Sequence, residues 1–410
     1  MPTRSSKSTF SAYLKELYSP HRVELLAAND HKIMKQLRKV ARGGEAFNVD
    51  VLYGNPAGRS KTYSKAWTNA NTTQSTKFVI PDLKDDFNVV QIESKVMALT
   101  ERGDWSKAKT KTLEIKGMLE ELGKSFSLDM YRDATGNIGT IETIGGSGTL
   151  LTLTNKSDTH NFSIGQTLNF IDSDGSLIQN SGSDATATVS SINHSDGQIT
   201  VSTDVTAFTE AVVVTDGICN DGDNGNGMAG FASWLPLTAP TSGDSFFSVD
   251  RSTNVAALAG HRVDNTGRSI LENGEELKLL IEEFGGRPDC WVMNPRAGRQ
   301  LSQQLGTKVE RTDGGPARFG FSDFELVGWM GRPIKVVFDY TCPVNRAYML
   351  QLDTWTVNHV KGVPHIAMED GLMVRHAGSD FDGVNVLARY WAEITTHAPG
   401  YNGVMSVAVE

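Results

Sequence analysis

Between Phe47 and Lys77 the chain reads FNVDVLYGNPAGRSKTYSKAWTNANTTQSTK. From Phe47 to Tyr53 apolar and polar residues alternate, which is the period of a β-strand. The turn-rich run that follows, and the polar return from Lys61 to Lys77, predict a long two-stranded hairpin. An isolated hairpin is marginally stable in water, and its open edges favour pairing with another chain. We therefore expect residues 46–80 to become ordered only on copies of the same chain.

The segment before this hairpin is basic and has helical periodicity. Its apolar residues recur at helical spacings until the helix-stop signal Gly43-Gly44, so residues 1–43 are predicted to be helical. Residues 1–77 contain 13 Lys/Arg against 5 Asp/Glu. Two interpretations stay open: a solvated helix surface, or an arm that docks on an acidic partner, which would be nucleic acid or a neighbouring protein.

A strand and a long helix are predicted after the hairpin. Val90 and Ile92 alternate with polar residues, as in a half-buried strand. Asp104 is a candidate N-cap for the helix. An apolar stripe at spacings of three and four follows it, formed by Trp105, Ala108, Thr112, Ile115, Leu119, Leu122 and Phe126. This stripe predicts a structural helix that packs on the core and not a cofactor site.

From residue 136 to residue 216 the pattern changes to short β-prone runs separated by turn signals. The runs are Thr149–Thr154, Thr167–Ile171, Ala185–Val189, Gln198–Val201 and Ala211–Val214. Strands of this length and spacing indicate a small antiparallel barrel or sandwich, inserted into the rest of the chain. The insert is acidic, because Asp133 to Asp250 contains one basic residue, Lys156, against 14 Asp/Glu.

After the insert the chain returns to mixed α/β structure. Helices are predicted from Ser269 to Phe284, and from Arg296 to Leu305 after Pro295. The predicted strands are Cys290–Met293, Phe324–Gly328, Ile334–Phe338, Ala347–Leu352 and Val386–Thr396. The residues alone therefore predict a multidomain chain of mixed α/β structure with an all-β insert, and we assign it to the α+β fold class.

Length and composition restrict the class of protein. The 410 residues allow two or three domains and carry a net charge of −9. The longest apolar run is Val255–Ala259, far short of the ~20 residues that a membrane span requires. The three cysteines are widely separated, so no disulfide framework or zinc cluster is expected. We expect a soluble chain that folds inside the cell and contacts no membrane.

No motif in the sequence predicts catalysis, a metal or a cofactor. Gly225 to Gly230 match GxGxxG, but Phe-Ala-Ser-Trp-Leu-Pro follows, so we expect no helix to begin there and no dinucleotide site. Two acidic pairs resemble fragments of a calcium loop without completing it; they are Asp172 with Asp174 and Asp221 with Asp223. His359 and His365 are expected to be structural or surface residues.

The order of these segments resembles that of the major capsid protein of tailed bacteriophages. Five stretches are similar to sequences of this family: DGDNGNGMAGFASWL from Asp221, VDRSTN from Val249, RPDCWVMNP from Arg287, GRPIKVV from Gly331 and MLQLDTW from Met349. They occur in the family's order over residues 45–400.

The resemblance implies the tailed-phage major capsid fold with an inserted antiparallel β-barrel-like domain. It assigns a basic N-terminal arm (1–45), an extended hairpin loop (46–80), a peripheral domain with a spine helix (81–135), the insert (136–217), a connector (218–251), an axial domain (252–376) and a return to the peripheral domain (377–410). The insert would lie on the outer face, since packaged DNA repels it, and the arm would lie towards the inner face or under a neighbouring subunit.

The implied function is self-assembly, as hexamers and pentamers, into an icosahedral shell around double-stranded DNA. The hairpin side chains then become candidates for contact with a neighbouring subunit: Phe47, Val49, Val51, Tyr53, Arg59, Lys61, Tyr63, Lys65, Trp67 and Lys77. Some members crosslink a hairpin lysine to an asparagine of a partner, for which Lys61, Lys65 and Lys77 are available. The implied partners are a separate scaffolding protein, a portal, a decoration protein and packaged DNA, and the implied location is the virion, assembled in the host cytoplasm.

Two alternatives remain at this point. The chain could be another virion component, such as a decoration or tail-tube protein whose β insert binds a glycan. A nucleotide-dependent enzyme would rest on one misplaced glycine motif and is the weaker alternative.

Overall fold

The computed structural model describes residues 31–43, 46–94, 107–264, 267–305, 325–326, 333–367, 375–376 and 382–408. The α-helices are α1 (Lys32–Gln36), α2 (Tyr63–Thr68), α3 (Lys107–Tyr131), α4 (Phe231–Trp234), α5 (Val255–Ala259), α6 (Ile270–Glu283) and α7 (Pro295–Leu305). The strands are β1 (Arg38–Ala41), β2 (Phe47–Gly54), β3 (Gln74–Ile80), β4 (Lys84–Glu93), β5 (Gly139–Gly145), β6 (Leu150–Leu153), β7 (Thr167–Ile171), β8 (Gln179–Asn180), β9 (Ser183–Asp184), β10 (Thr186–Asn193), β11 (Gln198–Val201), β12 (Gly217–Asn220), β13 (Ser245–Phe246), β14 (Val249–Asp250), β15 (His261–Val263), β16 (Cys290–Met293), β17 (Glu325–Leu326), β18 (Ile334–Phe338), β19 (Arg346–Leu350), β20 (Trp355–His359), β21 (His365–Ile366), β22 (Arg375–His376), β23 (Gly383–Thr396) and β24 (Gly403–Ser406).

The chain divides into two compact units. The first comprises Met1–Gly44, Leu83–Ser127 and Val357–Glu393. The second comprises Glu45–Asp82, Leu128–Thr356 and Ile394–Glu410, and so contains the hairpin and the acidic insert. None of the helices in the described part of the chain combines the length and the apolar character that a membrane crossing needs.

The first unit contains a β-sheet of long and short strands arranged around β23. Within the described residues, β1, β20, β23 and β21 follow one another in the sheet, and β4 and β22 also pair with β23. The β4–β23 ladder is antiparallel and runs from Glu93 opposite Gly383 to Lys84 opposite Ala392. Val90 and Ile92 point to the more buried face of β4, as the alternation predicts.

Helix α3 packs over this sheet through the predicted stripe. Four of its residues are buried: Ile115, Leu119, Leu122 and Phe126. The ring of Phe126 meets that of Tyr390 edge-on, with centroids 5.3 Å apart. Close by, the Ser125 hydroxyl donates to Asp86 Oδ2 at 2.6 Å. The predicted start of the helix at Asp104 lies outside the described residues.

The segment before the hairpin is only partly helical, and the prediction of a helix up to Gly43 is wrong for Arg38–Ala41. These residues form β1 beside β20. Arg42 extends the pairing, since its amide donates to the His359 carbonyl at 2.8 Å. Backbone pairing with a distant strand here overrides a local helical pattern. Residues 1–30 of the predicted arm lie outside the described part.

The acidic insert forms a closed barrel in the second unit. Its strands are hydrogen-bonded in the order β10-β11-β6-β5-β12-β7, and β12 returns beside β5 and β7. The interior is apolar and includes Ile141, Leu151, Leu153, Leu168, Phe170, Val189, Ile199, Val201 and Ile218. Four of the five predicted runs overlap strands of the barrel.

The fifth run, Ala211–Val214, is not a strand, so that prediction is wrong. The Val213 amide donates to the Asp216 carboxylate at 2.8 Å, and Thr215 has a φ of 80°. A side-chain acceptor and a left-handed residue fold these positions into a turn, although the valines favour a strand.

The second unit also contains a sheet with the order β15-β24-β19-β16-β18-β17. Strand β16 is parallel to β18 and antiparallel to β19. Helices α6 and α7 bury their apolar sides in the core of this sheet. A capping box between Ser269 and Glu272 begins α6, and Gly274 allows the helix to approach Trp291, whose ring lies 2.6 Å from where a Cβ would be. The predicted last segment, 377–410, contributes β23 to the first unit and β24 to this sheet.

The GxGxxG run has a packing role. A one-turn helix, α4, follows Gly230, so the expectation that no helix begins there is wrong. A Cβ on Gly230 would lie 2.2 Å from the Asp129 carbonyl oxygen and 2.5 Å from that of Met130. The missing side chain therefore lets the loop pack against the end of α3 and seats Phe231 and Trp234 in the core, where both are fully buried.

We expect Gly230→Ala to lower the free energy of unfolding of the protomer by about 1–3 kcal/mol, because rigid backbone atoms oppose the new methyl group. The matched control is Gly117→Ala on α3, where a Cβ meets nothing within 4 Å. That change should raise the free energy of unfolding by up to ~1 kcal/mol through helix propensity. Urea unfolding followed by circular dichroism measures both, and an unchanged midpoint for Gly230→Ala would refute the packing role.

Candidate inter-subunit contact site

Strands β2 and β3 form the predicted hairpin, but its return strand is shorter than predicted. The antiparallel register runs from Phe47 opposite Ile80 to Gly54 opposite Gln74, and places Asp50 opposite Lys77. The return from Lys61 to residue 73 is not a strand, so that part of the prediction is wrong. We call β2 and β3 the hairpin base and residues 55–73 the tip.

The hairpin base packs on its own chain, through an aromatic cluster that the sequence analysis did not anticipate. Phe78 is fully buried, and its ring centroid lies 5.0 Å from that of Trp234 and 6.0 Å from that of Phe246. Both contacts are edge-on, which is the favoured geometry of aromatic pairs. The Val79 amide donates to the Phe247 carbonyl at 3.1 Å. The base is therefore ordered within the protomer, and the expectation that residues 46–80 become ordered only on copies of the same chain is wrong for β2 and β3.

Two polar side chains, Arg251 and Asn254, stabilise this cluster and the distal end of β2. The Arg251 guanidinium stacks 4.3 Å from the Phe246 ring centroid and donates to the Ser233 carbonyl at 2.6 Å. Burial lowers the pKa of Arg251, and the carboxylate of Asp244, 3.4 Å away, opposes that shift. The Asn254 amide donates to the Tyr53 carbonyl at 2.9 Å.

The ten candidate contact residues separate into two groups. Val49 and Val51 are buried in their own chain, and Phe47 and Tyr53 are half-buried. Their alternating apolar side chains face the protomer, so Val49 and Val51 present no exposed surface here, and their contact with a neighbouring subunit stays a prediction. The exposed candidates are Arg59, Lys61, Tyr63, Lys65, Trp67 and Lys77. All of these except Lys77 belong to the tip.

The tip is held in shape by hydrogen bonds within the tip itself. Asn71 Oδ1 accepts hydrogen bonds from the amides of Ala57 at 2.6 Å and Gly58 at 3.0 Å. A Cβ on Gly58 would lie 2.3 Å from the Asn69 carbonyl oxygen, so glycine permits the two sides of the loop to approach. These contacts are local and bring no apolar side chain out of water.

Helix α2 presents an exposed aromatic pair at the end of the tip. Tyr63 and Trp67 are 80% and 74% exposed, and no residue of α2 is buried. One turn apart, their ring centroids are 6.2 Å from each other. The tip also carries Arg59, Lys61 and Lys65 and no Asp or Glu. An aromatic surface with three cations fits an acidic, apolar partner surface.

The anchoring residues had a detectable signal in the sequence. Trp234 lies in the stretch from Asp221 that resembles the capsid family, and Phe246-Phe247 lie just before the stretch from Val249. The sequence pattern did not link these residues to the hairpin. Leu52, which is 71% exposed at the end of β2, was also missed. It extends the exposed apolar surface towards the tip.

The acidic loops use their carboxylates for local turns. Asp172 Oδ1 accepts from the Ser173 amide, and Asp174 Oδ1 accepts from both the amide and the hydroxyl of Ser176. No group of three or more His, Cys, Asp or Glu residues suited to a metal ion occurs in the described part of the chain. Burial raises the pKa of the Cys219 and Cys290 thiols to about 12, which leaves them unreactive.

The comparisons with solved structures bear on the fold. The chain matches one from the cyanophage A-1(L) capsid asymmetric unit with a TM-score of 0.51 at 10% sequence identity, over 91% of this chain and 91% of that one. The chain has the fold of a phage capsid protein. This capsid fold accounts for the joint presence of a hairpin, a long helix and two sheets in one polypeptide.

Other similar structures have lower scores. A chain from Microbacterium phage Oxtober96 has a TM-score of 0.43 at 8% identity, over 92% of this chain and 90% of that one. The holo-SrpI encapsulin complex from Synechococcus elongatus gives 0.42 at 8% identity, over 99% and 96%. No protein-family model and no curated protein matches the chain.

We expect the base and the tip to respond differently to truncation in the isolated protomer. Phe78→Ala should lower the free energy of unfolding by about 3–5 kcal/mol, since it empties a buried site among aromatic rings. Trp67→Ala should change it by less than ~0.5 kcal/mol, because the indole is exposed. Chemical denaturation of dilute protein measures both. A large loss for Trp67→Ala would mean that the tip is ordered by its own chain.

Proposed function

We propose that this chain is the major capsid protein of a tailed bacteriophage, which assembles as hexamers and pentamers into the icosahedral head shell around double-stranded DNA. The observation that carries the proposal is the exposed, cationic, aromatic tip on a chain with the fold of a phage capsid protein. Such a surface is costly on a protein that remains a monomer.

Burial of the tip in a neighbouring subunit supplies a driving force for assembly. An aromatic side chain buries roughly 150–250 Å², and at ~25 cal/mol per Å² the Tyr63–Trp67 pair would contribute roughly 7–13 kcal/mol when fully buried, before the costs of association. A closed shell multiplies this contact by symmetry, so that a moderate contact per subunit gives a stable lattice.

The proposed arrangement follows the order of segments along the chain. The arm (1–45) lies on the inner face, where its positive charge contacts packaged DNA without sequence specificity. The barrel insert, which carries most of the negative charge between Asp133 and Asp250, lies on the outer face away from DNA. Residues 81–135 with part of 377–410 form the peripheral domain, residues 218–251 the connector, and 252–376 most of the axial domain.

The remaining elements of the proposal concern partners and location. The shell would be built in the host cytoplasm with a scaffolding protein and a portal, and a decoration protein could bind the outward barrel. The chain would need no cofactor and catalyse no reaction. A lysine of the hairpin could also crosslink to an asparagine of a partner subunit. The exposed lysines available for this bond are Lys61 and Lys65 in the tip and Lys77 on β3.

Electron microscopy of the overexpressed chain, with and without its scaffold, tests the proposal. We expect closed shells from the unmodified chain. Three other outcomes would contradict the assignment. Tubes would favour a tail-tube protein, and single rings would favour a decoration protein. Monomers under all conditions would favour an unrelated function.

The double variant Tyr63→Ala/Trp67→Ala should raise the protein concentration needed for shell formation at least about tenfold, because the tip loses most of its buried area. The matched control is Ile164→Ala, which removes an apolar side chain that is 71% exposed on the barrel. Light scattering against concentration measures the threshold. Equal thresholds for the double variant and the unmodified chain would exclude the tip from assembly.

A further inference from the structure

Asp216 has a buried carboxylate at one end of the barrel, and only one of its two oxygens is satisfied. The residue is 1% exposed, and its Oδ2 accepts a hydrogen bond from the Val213 amide at 2.8 Å. Its Oδ1 has no hydrogen-bond partner among the described residues. Burying a carboxylate without a partner is costly, so this oxygen needs a proton or a cation.

A second carboxylate, that of Asp172, lies next to it. The register of the β12–β7 ladder, continued by one residue, sets Asp216 opposite Asp172. Two positions further into these strands, Ile218 and Phe170 belong to the core of the barrel, so both aspartates occupy inward-facing positions at its end. Burial raises the pKa of Asp216, the hydrogen bond to Oδ2 opposes that shift, and the charges of Asp172 and Glu210 add to it. We call Asp172, Glu210 and Asp216 the acidic end of the barrel.

The basic side chains of the barrel lie at its opposite end. Lys156, the one Lys or Arg in residues 136–217, packs on the β10–β11 turn, where a Cβ on Gly197 would lie 2.7 Å from its Cγ. His160 and His194 stack on each other beside this turn, with centroids 4.4 Å apart. Since β10 is antiparallel to β7, the turn lies where β7 begins and the acidic end where β7 ends. The barrel therefore has no cation of its own at the acidic end.

Two other acidic positions in the described part of the chain lack this combination of burial and missing counter-charge. Glu282 Oε2 is also buried without a hydrogen bond, but the Lys278 ammonium lies 3.6 Å from its Oε1. The pair Asp221 and Asp223 has no buried carboxylate oxygen without a partner. By contrast, none of the described Lys, Arg and His residues forms an ion pair with Asp216.

We propose that the acidic end binds a hydrated divalent cation, Ca²⁺ or Mg²⁺, between Asp216 and Asp172. Asp216 Oδ1 is one ligand. Asp172 Oδ2 is the other, because its Oδ1 already accepts from the Ser173 amide at 2.6 Å. Both ions prefer oxygen ligands, and Mg²⁺ is commonly held by one or two carboxylates while it keeps several waters. Two carboxylates are fewer than a closed metal cluster requires, so water completes the coordination.

The cation closes this end of the barrel within one protomer. It connects the end of β7 to the start of β12, and so restrains the turn that precedes β12. Two amides report on that turn: Val213 donates to Asp216, and Thr215 donates to the Ile141 carbonyl at 2.8 Å. The site needs no second copy of the chain, so it is independent of assembly.

Calorimetric titration of the dilute, full-length chain with Ca²⁺, and separately with Mg²⁺, tests the site. We expect one site per chain, with an affinity at least about tenfold lower in Asp216→Asn and in Asp172→Asn. Each variant keeps an oxygen for the local amide, so the turns are preserved. The matched control is Asp196→Asn in the β10–β11 turn, which should bind as the unmodified chain does.

Amide hydrogen exchange gives an independent readout with a change of sign. In EDTA, Thr215 should exchange at least as slowly in Asp216→Asn as in the unmodified chain, because the variant removes the repulsion with Asp172. Ca²⁺ at ten times its dissociation constant should slow Val213 and Thr215 about tenfold in the unmodified chain. It should have no effect on these amides in the variant.

Two outcomes would overturn the proposal. Binding that Asp216→Asn leaves intact would identify an adventitious ion on the acidic surface only. No binding of either cation at millimolar concentration would mean that a proton neutralises Asp216. Infrared spectroscopy would then show a protonated carboxyl band that is missing in Asp216→Asn.

Discussion

The edge-on contact of Phe78 with Trp234 fixes how the hairpin leaves the protomer. Trp234 is itself held, because its indole donates to the Ile394 carbonyl at 2.9 Å. Gly230 lets the one-turn helix that bears Trp234 pack under the end of α3. Since the hairpin base is secured in this way, the direction of the tip is set before any partner is met. A tip that is already oriented loses less conformational entropy on docking.

The base and the tip of the same hairpin are thus stabilised in different ways. Its base satisfies the usual conditions for a folded element, with buried side chains, backbone pairing and contact with a core. Its tip forms only local hydrogen bonds and leaves Tyr63 and Trp67 exposed to water. The boundary falls near Gly54 and Gln74, where the ladder ends. The proposed assembly needs this division, because the base must be rigid enough to direct the tip and the tip must be free to contact another subunit.

The sequence predicted most elements whose pattern was local. The stripe of α3, the apolar spacing of α6 and four runs of the barrel all correspond to observed elements. Two of the failures came from contacts between distant positions: Arg38–Ala41 become a strand through β20, and the hairpin base is anchored by Trp234, more than 150 residues away in the chain. Spacing alone could not connect these residues. For the candidate site, composition identified the segment that is poor in apolar residues, but it could not show that Val49 and Val51 face their own protomer.

Amide hydrogen exchange, followed residue by residue in dilute protomer and in purified shells, tests the central claim most directly. The account predicts slow exchange of the β2 and β3 ladder amides in both states, because the base is ordered within one chain. It predicts fast exchange for the tip amides of residues 55–73 in the protomer and clear protection of them only in shells. Tip amides as slow as the ladder in dilute protomer, or equally fast in both states, would contradict it.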